Sequence, residues 1–398
     1  MAEKSGGWTM QQCDIAIIGG GMVGALAAAL LAPSGLDIQL LESRQPQEFS
    51  PTEPHDLRIS SISAASVRLL QQAGAWDAIT AMRAWPYQRL EASEWQGFAT
   101  RFSAAELDCE YLGYMLENRV IQLGLWQALA QWHNVILRCP SELDSLEQHE
   151  QGALLTLSDG SQLQARLVLA CDGAESRLRQ LAGIGVTAWD YAQQCMLISV
   201  AGDELEQDIT WQQFCASGPR ALLPLGHGKG SLVWYDRKAR IEQLAAMSNE
   251  ALALEVARQF PARLGPVRVL GKGHFALRRR HANQYVKGAV VLLGDAAHTI
   301  NPLAGQGVNL GFKDVAVLSE LIHQAVERGE DIAAPALLKR FECRRRPDNL
   351  LMQGAMDVFY QAFSNEVAPL KLLRNLGLKV AEHSGPLKKQ VMKYAMGL

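Results

Sequence analysis

A glycine-rich hexapeptide, Gly19–Gly24, separates a short apolar run from a helix-forming run near the start of the chain. Residues 13–18 (Cys-Asp-Ile-Ala-Ile-Ile) have the composition of a buried strand, and residues 25–32 continue as a helix rich in alanine and leucine. A second strand at 38–41 completes a βαβ unit, which is about thirty residues long in dinucleotide-binding folds. The start of the chain is therefore predicted to form a parallel sheet with a glycine turn at a helix N-terminus.

The spacing of the glycines, Gly19-x-Gly21-x-x-Gly24, indicates what this turn binds. The first glycine permits the tight turn, the second lets a pyrophosphate approach the backbone, and the third allows close helix–strand packing. Unpaired N–H groups at the helix N-terminus then point at the phosphates. Glu42 follows the second strand, where a carboxylate accepts hydrogen bonds from an adenosine ribose and repels a 2′-phosphate. The unit predicts an FAD or NAD site rather than an NADP site, and the sequence shows no second fingerprint for a nicotinamide nucleotide.

Residues 15–32 contain no charged side chain, and this length of 18 residues is at the threshold for a membrane-spanning helix. Four glycines fall within the first ten of these residues, however, and an alanine- and leucine-rich stretch follows them. A strand, a glycine turn and a buried helix explain this composition better than a membrane span.

A second segment, Asp172–Ser176 (Asp-Gly-Ala-Glu-Ser), follows an uninterrupted apolar run at 167–171. That run is predicted to be a parallel strand with a site at its carboxyl end, and a hairpin with the turn Asp159-Gly160 precedes it. Taken alone, the segment is equally explained as a plain turn with a helix N-cap. Its position after the glycine fingerprint is what favours a cofactor contact.

A third segment, Gly294–His298 (Gly-Asp-Ala-Ala-His), closes another apolar strand. Asp295 is placed there to accept a hydrogen bond from a ribityl hydroxyl. Pro302 and the run Gly305–Asn309 follow, and their glycines allow backbone to lie against a flat ring. A helix is predicted to begin near Gly307, and its positive end stabilises negative charge on a reduced flavin by up to about 2 kcal/mol when partly buried. The three segments together predict a discontinuous FAD-binding domain.

Residues 190–275 differ from the rest, because short apolar runs such as 196–200 and 231–235 alternate with turn residues as in an antiparallel sheet. The predicted fold class is α/β: a discontinuous Rossmann-like FAD-binding domain, an inserted antiparallel β-sheet domain for the substrate and a C-terminal helical segment. The predicted boundaries are 1–75, 105–182 and 277–345 for the FAD-binding domain, 76–104 and 183–276 for the β-sheet domain, and 346–398 for the helical region. The candidates for lining a substrate channel, for which core packing is the default expectation, are Trp211, Phe214, Trp234 and Tyr235.

Charge and cysteine content exclude several other classes of protein. The net charge of -3 gives no electrostatic basis for binding nucleic acid. The seven cysteines are scattered and never form a Cys-x-x-Cys pair, which argues against a zinc site or a disulfide framework and favours the cytosol. Residues 1–12 lack the basic start and apolar core of a signal peptide. We therefore expect no metal, no nucleic-acid partner and a cytoplasmic location.

Residues 370–398 carry six lysine or arginine side chains and one acidic side chain, with apolar residues between them at helix-like intervals. A basic amphipathic helix of this kind lies on an anionic membrane surface. A terminal helix that caps the domain, or one that docks on partner proteins, explains the pattern equally well. Peripheral attachment to the inner membrane face is thus an open alternative to a purely cytoplasmic location.

The three cofactor segments resemble the FAD-binding motifs of single-component aromatic hydroxylases with the para-hydroxybenzoate hydroxylase fold. The run 294–311 (Gly-Asp-Ala-Ala-His-Thr-Ile-Asn-Pro-Leu-Ala-Gly-Gln-Gly-Val-Asn-Leu-Gly) is similar to the branch that hydroxylates ubiquinone precursors. The resemblance covers nearly the whole chain and includes the stretches 58–63, 112–115, 189–200, 356–360 and 374–378. Within this branch, the sequence most resembles the bacterial demethoxyubiquinol hydroxylases.

The resemblance adds roles to the cofactor contacts, which are Gly19, Gly21, Gly24, Glu42, Arg119, Asp172, Gly173, Gly294, Asp295, Pro302, Gly305, Gln306, Gly307, Val308 and Asn309. It implies that the glycine turn and Glu42 hold the ADP half of FAD, and that Asp172 and Gly173 support both FAD and the passing reductant. It also implies that Asp295 binds the ribityl–pyrophosphate region and that the residues from Pro302 border the isoalloxazine ring. Many relatives place an FAD-contacting arginine just before the helix near residue 120. The local sequence departs from that pattern and leaves the role of Arg119 open.

The implied reaction is FAD-dependent hydroxylation of the ring of a polyprenylated benzoquinol, demethoxyubiquinol in particular, within ubiquinone biosynthesis. Reduced FAD reacts with O2 to form a flavin hydroperoxide, and NAD(P)H or another reductant supplies the electrons. Because a quinol activates its own ring, no catalytic residue is assigned. Pro302 and His298 are expected near the flavin, and His298 is more readily explained as a packing residue than as a general base.

Three alternatives stay open. The chain is a sister hydroxylase that attacks another ring carbon, a flavin oxidoreductase of the same fold without oxygen insertion, or a structural flavoprotein in a complex with other ubiquinone-biosynthesis proteins. Glycine-loop motifs do not separate these alternatives, because all of them require the same cofactor site.

Overall fold

The structure is a computed structural model that describes residues 10–95, 98–300 and 307–363, together with Gly385. Its strands are β1 (Gln11–Ile18), β2 (Ile38–Leu41), β3 (Ile59–Ser63), β4 (Trp85–Tyr87), β5 (Arg89–Trp95), β6 (Phe98–Ser103), β7 (Gly113–Glu117), β8 (Val135–Arg138), β9 (Leu143–His149), β10 (Gly152–Leu157), β11 (Gln162–Ala170), β12 (Val186–Ala201), β13 (Ile209–Gln213), β14 (Arg220–Gly226), β15 (Lys229–Arg237), β16 (Arg268–Ala282), β17 (Val286–Lys287), β18 (Val290–Leu292) and β19 (His298–Thr299). Its α-helices are α1 (Met22–Leu31), α2 (Ala64–Gln72), α3 (Trp76–Met82), α4 (Asn118–Leu129), α5 (Arg177–Leu181), α6 (Lys238–Ala246), α7 (Asn249–Gln259), α8 (Gly307–Arg328) and α9 (Pro335–Phe363). Within the described residues the strands form two sheets of eight strands and one sheet of three.

The first sheet has a parallel centre with the order β18-β11-β1-β2-β8. Ile15 and Ile17 of β1 and Leu40 of β2 are fully buried. Such continuously apolar strands are typical of parallel sheets covered by helices. The strands predicted at 13–18 and 38–41 are confirmed, and β1 starts two residues earlier than predicted.

The helix after the glycine turn, α1, begins at Met22 rather than at residue 25, so Gly24 lies inside it. Gly21 holds the N-cap position with an extended backbone, and no side chain caps the helix. Its residues 24–31 are all buried, because α4 and α8 pack against it. The uncharged segment 15–32 is thus a strand, a turn and a buried helix. No helix in the described part of the chain is long and apolar enough to cross a membrane.

The predicted hairpin joins β10 to β11, with Asp159-Gly160 at its turn. Gly160 has a φ of +84°, a conformation that favours glycine. The Asp159 carboxylate accepts hydrogen bonds from the backbone N–H and the hydroxyl of Ser161 (2.9 and 2.6 Å). The same strand β11 then runs parallel to β1 and β18 and ends two residues before Asp172.

The second sheet has the order β19-β16-β12-β15-β14-β13-β5-β6, and its pairs are antiparallel except for β13–β5. The antiparallel sheet predicted for this region is confirmed, and the runs 196–200 and 231–235 lie on its paired strands β12 and β15. One face of this sheet packs on α6 and α7, where Trp234 and Trp211 lie 5.4 and 6.4 Å from Phe260, measured between ring centroids. The other face borders a cavity.

The second sheet is inserted into the first, because β11 and β18 are neighbours although β12–β15 and β16 separate them along the chain. The α/β class with parallel and antiparallel sheets is confirmed. The predicted boundary at 276/277 falls inside β16, and the one at 345/346 falls inside α9, which begins at Pro335. Residues 364–384 and 386–398, which include most of the predicted basic tail, lie outside the described residues.

Candidate active site

Close backbone contacts shape the glycine turn between β1 and α1. Gly19 has a φ of +102°, and a Cβ atom there would lie 2.4 Å from the carbonyl oxygen of Cys171. A Cβ atom on Gly24 would lie only 1.9 Å from the carbonyl oxygen of Gly19. At Gly21, by contrast, no described atom lies within 4 Å of a Cβ position. The space in front of the helix N-terminus is therefore open to an anionic ligand.

Glu42 and α4 hold this turn from outside. The Glu42 carboxylate accepts hydrogen bonds from the backbone N–H groups of Gly20 (2.8 Å) and Arg44 (2.9 Å). The carbonyl oxygen of Gly20 accepts hydrogen bonds from the side chains of Gln122 (2.9 Å) and Trp126 (2.8 Å). Glu42 therefore lies beside the turn with lone pairs left for a ribose diol, and its contact with the ribose stays a prediction.

The second motif combines an ordinary helix cap with an open glycine. Ser176 caps α5 by accepting a hydrogen bond from the backbone N–H of Arg179 (2.9 Å). Asp172 accepts a hydrogen bond from the Leu178 N–H (3.0 Å) through one oxygen, while its buried Oδ1 makes no hydrogen bond of good geometry to any described residue. Burial raises the pKa of this carboxyl. Gly173 has a φ of +80° and open space around its Cβ position.

The third motif packs directly on the first. A Cβ atom on Gly294 or on Gly311 would lie 3.1 or 2.9 Å from the Val23 side chain, so this loop and the start of α8 approach α1 closely. Arg179 of the second motif donates a hydrogen bond to the carbonyl oxygen of Ala296 (2.9 Å). Three segments that are far apart in the sequence therefore meet at one place.

Asp295 faces a deep cavity, so its side chain is exposed while protein surrounds it on the remaining sides. This enclosure raises the pKa of Asp295, and His298 and Arg58 oppose the shift without cancelling it. The carboxyl group is therefore placed to exchange hydrogen bonds with a hydroxyl-bearing ligand in the cavity.

The start of α8 supplies the next predicted contacts. Gly307 and Val308 line the cavity. Asn309 is buried and bonds to β3 instead: it accepts a hydrogen bond from the Ser63 N–H (3.0 Å) and donates one to the Ser61 carbonyl (2.8 Å). The other predicted residues of this run lie outside the described residues, namely Pro302, Gly305 and Gln306.

His298 lies behind the third motif and is only 2 % exposed. Its Nε2 atom is 2.5 Å from the carboxylate of Asp314, which is fully buried on α8. That carboxylate also accepts hydrogen bonds from the Gly294 backbone N–H (3.0 Å) and, from α9, Arg345 (2.8 Å) and Asn349 (3.0 Å). This position agrees with the packing explanation for His298. Sequence analysis did not identify this cluster around Asp314. The one local signal for it is that Arg345 and Asn349 are four residues apart, which places them on one helix face.

Arg119 bonds to the loop that follows β2 and is not among the residues that line the cavity. Its guanidinium donates hydrogen bonds to both carboxylate oxygens of Asp56 (3.0 and 3.2 Å) and to Glu53 (2.6 Å). It also donates to the carbonyl oxygens of Gln47 (3.1 Å) and Glu48 (2.9 Å). In the structure Arg119 holds the loop that follows β2, and its contact with FAD stays a prediction.

Arg58 is a cavity-lining cation that motif analysis did not select as a site residue. Its guanidinium lies 5.9 Å from the centroid of the Phe275 ring, and we find no hydrogen bond from it to any described residue. Arginine binds phosphate through paired N–H donors. Arg58 lines the same cavity as Gly21 and Asp295. Its guanidinium is therefore suited to bind an anionic group of the cofactor.

A cavity of about 910 Å³ joins the three motifs to the second sheet. Its motif side includes Gly21, Gly173 and Asp295. Its sheet side is mainly apolar and includes Leu90, Leu197, Leu223, Val233 and Phe275. Ligand sites of this kind combine an apolar wall with a few polar groups that fix orientation.

The four aromatic channel candidates divide between the cavity and the core. Phe214 and Tyr235 line the cavity, and Trp211 borders it while packing on Phe260. Trp234 is fully buried in the core behind the sheet. The expectation of core packing is therefore confirmed for Trp234. Trp211, Phe214 and Tyr235 line the cavity, and their place in a substrate channel stays a prediction.

The residues present fit a flavin dinucleotide. Gly21 and Gly173 leave space that any side chain would fill, so a ligand can approach the backbone at both motifs. The Arg58 cation lines the same cavity and is available for a phosphate.

Comparison with known proteins agrees with this fit. A family model described as "FAD binding domain" matches residues 12–352. The chain is 52% identical to 3-demethoxyubiquinol 3-hydroxylase of Escherichia coli (strain K12), over 98% of this chain and 100% of that protein. It is 36% identical to ubiquinone hydroxylase UbiL of Rhodospirillum rubrum, over 96% of this chain and 89% of that protein. Among solved structures, p-nitrophenol 4-monooxygenase PnpA from Pseudomonas putida shares the fold, with a TM-score of 0.79 at 20% identity over 97% of each chain.

Proposed function

This chain belongs to the FAD binding domain family and is a flavin-dependent monooxygenase, and we propose that it hydroxylates the ring of a polyprenylated benzoquinol, demethoxyubiquinol, in ubiquinone biosynthesis. The cavity is the observation that carries this proposal, because it places an apolar wall of the second sheet opposite the cofactor motifs. A flat, apolar ring bound there lies beside the cofactor. The 52% identity to a 3-demethoxyubiquinol 3-hydroxylase supports this class of substrate.

FAD, when bound, supplies the activation of O2, and NAD(P)H or another reductant supplies the electrons. The chain itself binds and orients. The N–H groups at the start of α1 and the Arg58 guanidinium bind phosphate, and Glu42 binds the adenosine ribose. Asp172 and Asp295 hold hydroxyl or N–H groups of the cofactor. The apolar side chains of the sheet exclude water from the ring that reacts.

A quinol needs no nucleophile or metal from the protein, because its hydroxyl groups donate electron density to the ring carbons. The position of His298 is consistent with this proposal, since its Nε2 bonds to Asp314 and it is not among the residues that line the cavity. Specificity then depends on how the cavity orients the ring.

Oxygen insertion is tested with labelled O2. We expect the purified holoprotein, given a reductant and a short-chain demethoxyubiquinol, to place one labelled oxygen atom in the ring of the product. Asp295→Ala serves as the matched variant and should lose this activity, because Asp295 is a cavity-facing group of the cofactor site. Turnover of the quinol without label in the product would instead support a flavin oxidoreductase.

The substrate is tested by quinone profiling of a strain that lacks the gene. Accumulation of demethoxyubiquinone is the expected result, and accumulation of a different precursor would assign the chain to another ring carbon. Restoration of ubiquinone by the Asp295→Ala protein would favour a structural role in a biosynthetic complex.

We further propose that the basic tail, residues 370–398, brings the enzyme to the membrane that holds its polyprenylated substrate. The support is the ratio of six basic side chains to one acidic side chain in that segment. Full-length protein is expected to float with vesicles that contain anionic lipid, and protein truncated before Leu370 is expected to float less. Equal flotation of the two proteins would eliminate this role and favour a tail that docks on partner proteins.

A further inference from the structure

Gln212 lies on β13, and its neighbours across the second sheet are small. It pairs with Ala92 of β5 on one side and with Ala221 of β14 on the other. Residues directly opposite each other on adjacent strands project from the same face of a sheet. All three residues line the cavity, and the glutamine side chain is the longest of them. It therefore extends beyond the two methyl groups toward the ligand space.

The row of residues that contains Gln212 is otherwise apolar. Beyond Ala221 it continues to Val233 of β15 and then to Leu197 of β12, and both of these side chains line the cavity. The residue before Gln212 is Trp211, which packs on Phe260 behind the sheet. Because successive side chains of a strand point to opposite faces, Gln212 stands on the cavity face. It is thus one amide within an apolar wall.

The Gln212 amide is free to bind a ligand. The residue is half-buried, and we find no hydrogen bond from its side chain to any described residue. The two hydroxyl-bearing side chains of β13, β14 and β15 that line the cavity are already engaged. The Thr210 hydroxyl donates a hydrogen bond to the carbonyl oxygen of Leu222 (2.8 Å), and the Tyr235 hydroxyl is hydrogen-bonded with the Cys195 thiol. On this part of the wall, Gln212 therefore offers the hydrogen-bonding groups that a ring can use.

We propose that the Gln212 amide hydrogen-bonds to oxygen substituents of the substrate ring and so selects which ring carbon faces the cofactor. This inference rests on the proposed function, because it assumes an oxygen-bearing ring in the cavity. A glutamine amide carries both an acceptor oxygen and an NH2 donor. It accepts a hydrogen bond from a ring hydroxyl and donates one to a neighbouring ether or hydroxyl oxygen. One such group in an apolar wall fixes the rotation of a flat ring within its own plane.

Gln212→Met removes the amide but keeps an unbranched side chain of similar length, and it is tested in the full-length holoprotein. The probe is a short-chain demethoxyubiquinol, and its binding is measured without O2 from the change in flavin absorbance. We expect the variant to bind this probe about tenfold more weakly, as the loss of one hydrogen bond implies. During turnover, more of each reductant's two electrons should reduce O2, with two protons, to H2O2 instead of supporting hydroxylation. FAD content should stay at the wild-type level.

Analogues of the probe that each lack one ring oxygen separate a direct contact from a change in cavity shape. Wild-type protein should bind one analogue about tenfold more weakly than the parent, and Gln212→Met should bind the two equally. The matched control is Gln213→Met. Gln213 is the next residue of β13, so its side chain projects from the opposite face, and it is not among the residues that line the cavity. This control should behave as the wild-type protein does.

Wild-type affinity and coupling in Gln212→Met would overturn the proposal, and so would a variant that still discriminates between parent and analogue as the wild-type protein does. Continued oxygen insertion in either case would leave the proposed function intact. Equal binding of the parent and all analogues by the wild-type protein would also overturn the proposal, even if the variant failed to fold. Failure of the wild-type protein to bind or hydroxylate any of these quinols would be a failure of the proposed function itself.

Discussion

Gly24→Ala is expected to lower the FAD content of the purified protein at least about tenfold, because a Cβ atom at this position would lie 1.9 Å from the Gly19 carbonyl oxygen. The atom that it meets belongs to the backbone, so no side-chain rotation relieves the overlap. α1 must then move away from β1, and its N–H groups no longer face the phosphate position. The measurement is the ratio of flavin to protein absorbance, together with the thermal midpoint of unfolding.

Two other glycines provide controls for this result. A Cβ atom on Gly21 meets nothing in the described protein, so Gly21→Ala should fold normally but bind FAD more weakly, since its methyl group fills ligand space. Gly354 lies in α9 with open space around it, and Gly354→Ala should be neutral or stabilising by up to about 1 kcal/mol. Wild-type FAD content in Gly24→Ala would show that close helix–strand packing is not what this glycine provides.

The parts of the fold that sequence analysis predicts best are those whose determinants are local. The βαβ unit is predicted because Gly19–Gly24 and the strands around it are contiguous, and each follows its own period of hydrophobicity. The turn at Asp159-Gly160 is predicted for the same reason. The start of α1 is placed three residues late, because a glycine inside a helix is disfavoured by propensity and is retained here for packing.

Contacts between segments that are distant in the sequence cannot be predicted from such local patterns. The role of Asp314 depends on Gly294, Arg345 and Asn349. The spacing of Arg345 and Asn349 places those two on one helix face, but nothing in the sequence brings that face to Asp314 and Gly294. Arg119 shows a second limit of sequence analysis. Its position at the start of α4 does not reveal that its guanidinium bonds to Asp56.

The strand at 229–237 shows a third limit of sequence analysis. Its alternation predicts that Trp234 and Tyr235 point to opposite faces of the sheet. It does not indicate which face borders the cavity, because both side chains are large and aromatic. Only the packing of α6 and α7 on one face of the sheet decides that Tyr235 faces the ligand space.

Asp314→Asn is expected to destabilise the protein by about 3–5 kcal/mol, because it removes the fully buried carboxylate that pairs with the buried Arg345 guanidinium and leaves that cation only its ion pair with the partly exposed Asp348. The amide cannot accept hydrogen bonds through both of its terminal atoms, so Gly294, His298 and the α9 side chains compete for one oxygen. The loop that carries Asp295 is then no longer held, and FAD affinity should fall with stability. Denaturant unfolding and FAD titration of the same preparations measure the two effects.

The pH dependence of the free energy of unfolding shows whether Asp314 stabilises the protein through its negative charge or only through packing. Burial alone would raise the pKa of Asp314, but its contacts with His298, Arg345 and Asn349 outweigh burial and lower the pKa to about 2 from 3.8. The stabilisation is therefore fully present above about pH 4 and lost as the pH falls toward 2. Asp314→Asn should lack this pH-dependent stabilisation.

Asp331→Asn is the matched surface control, since Asp331 pairs with the exposed Arg166 and that pair should contribute only about 0–1 kcal/mol to stability. If both variants unfold at the same denaturant concentration, the buried carboxylate does not hold the cofactor loop to α9.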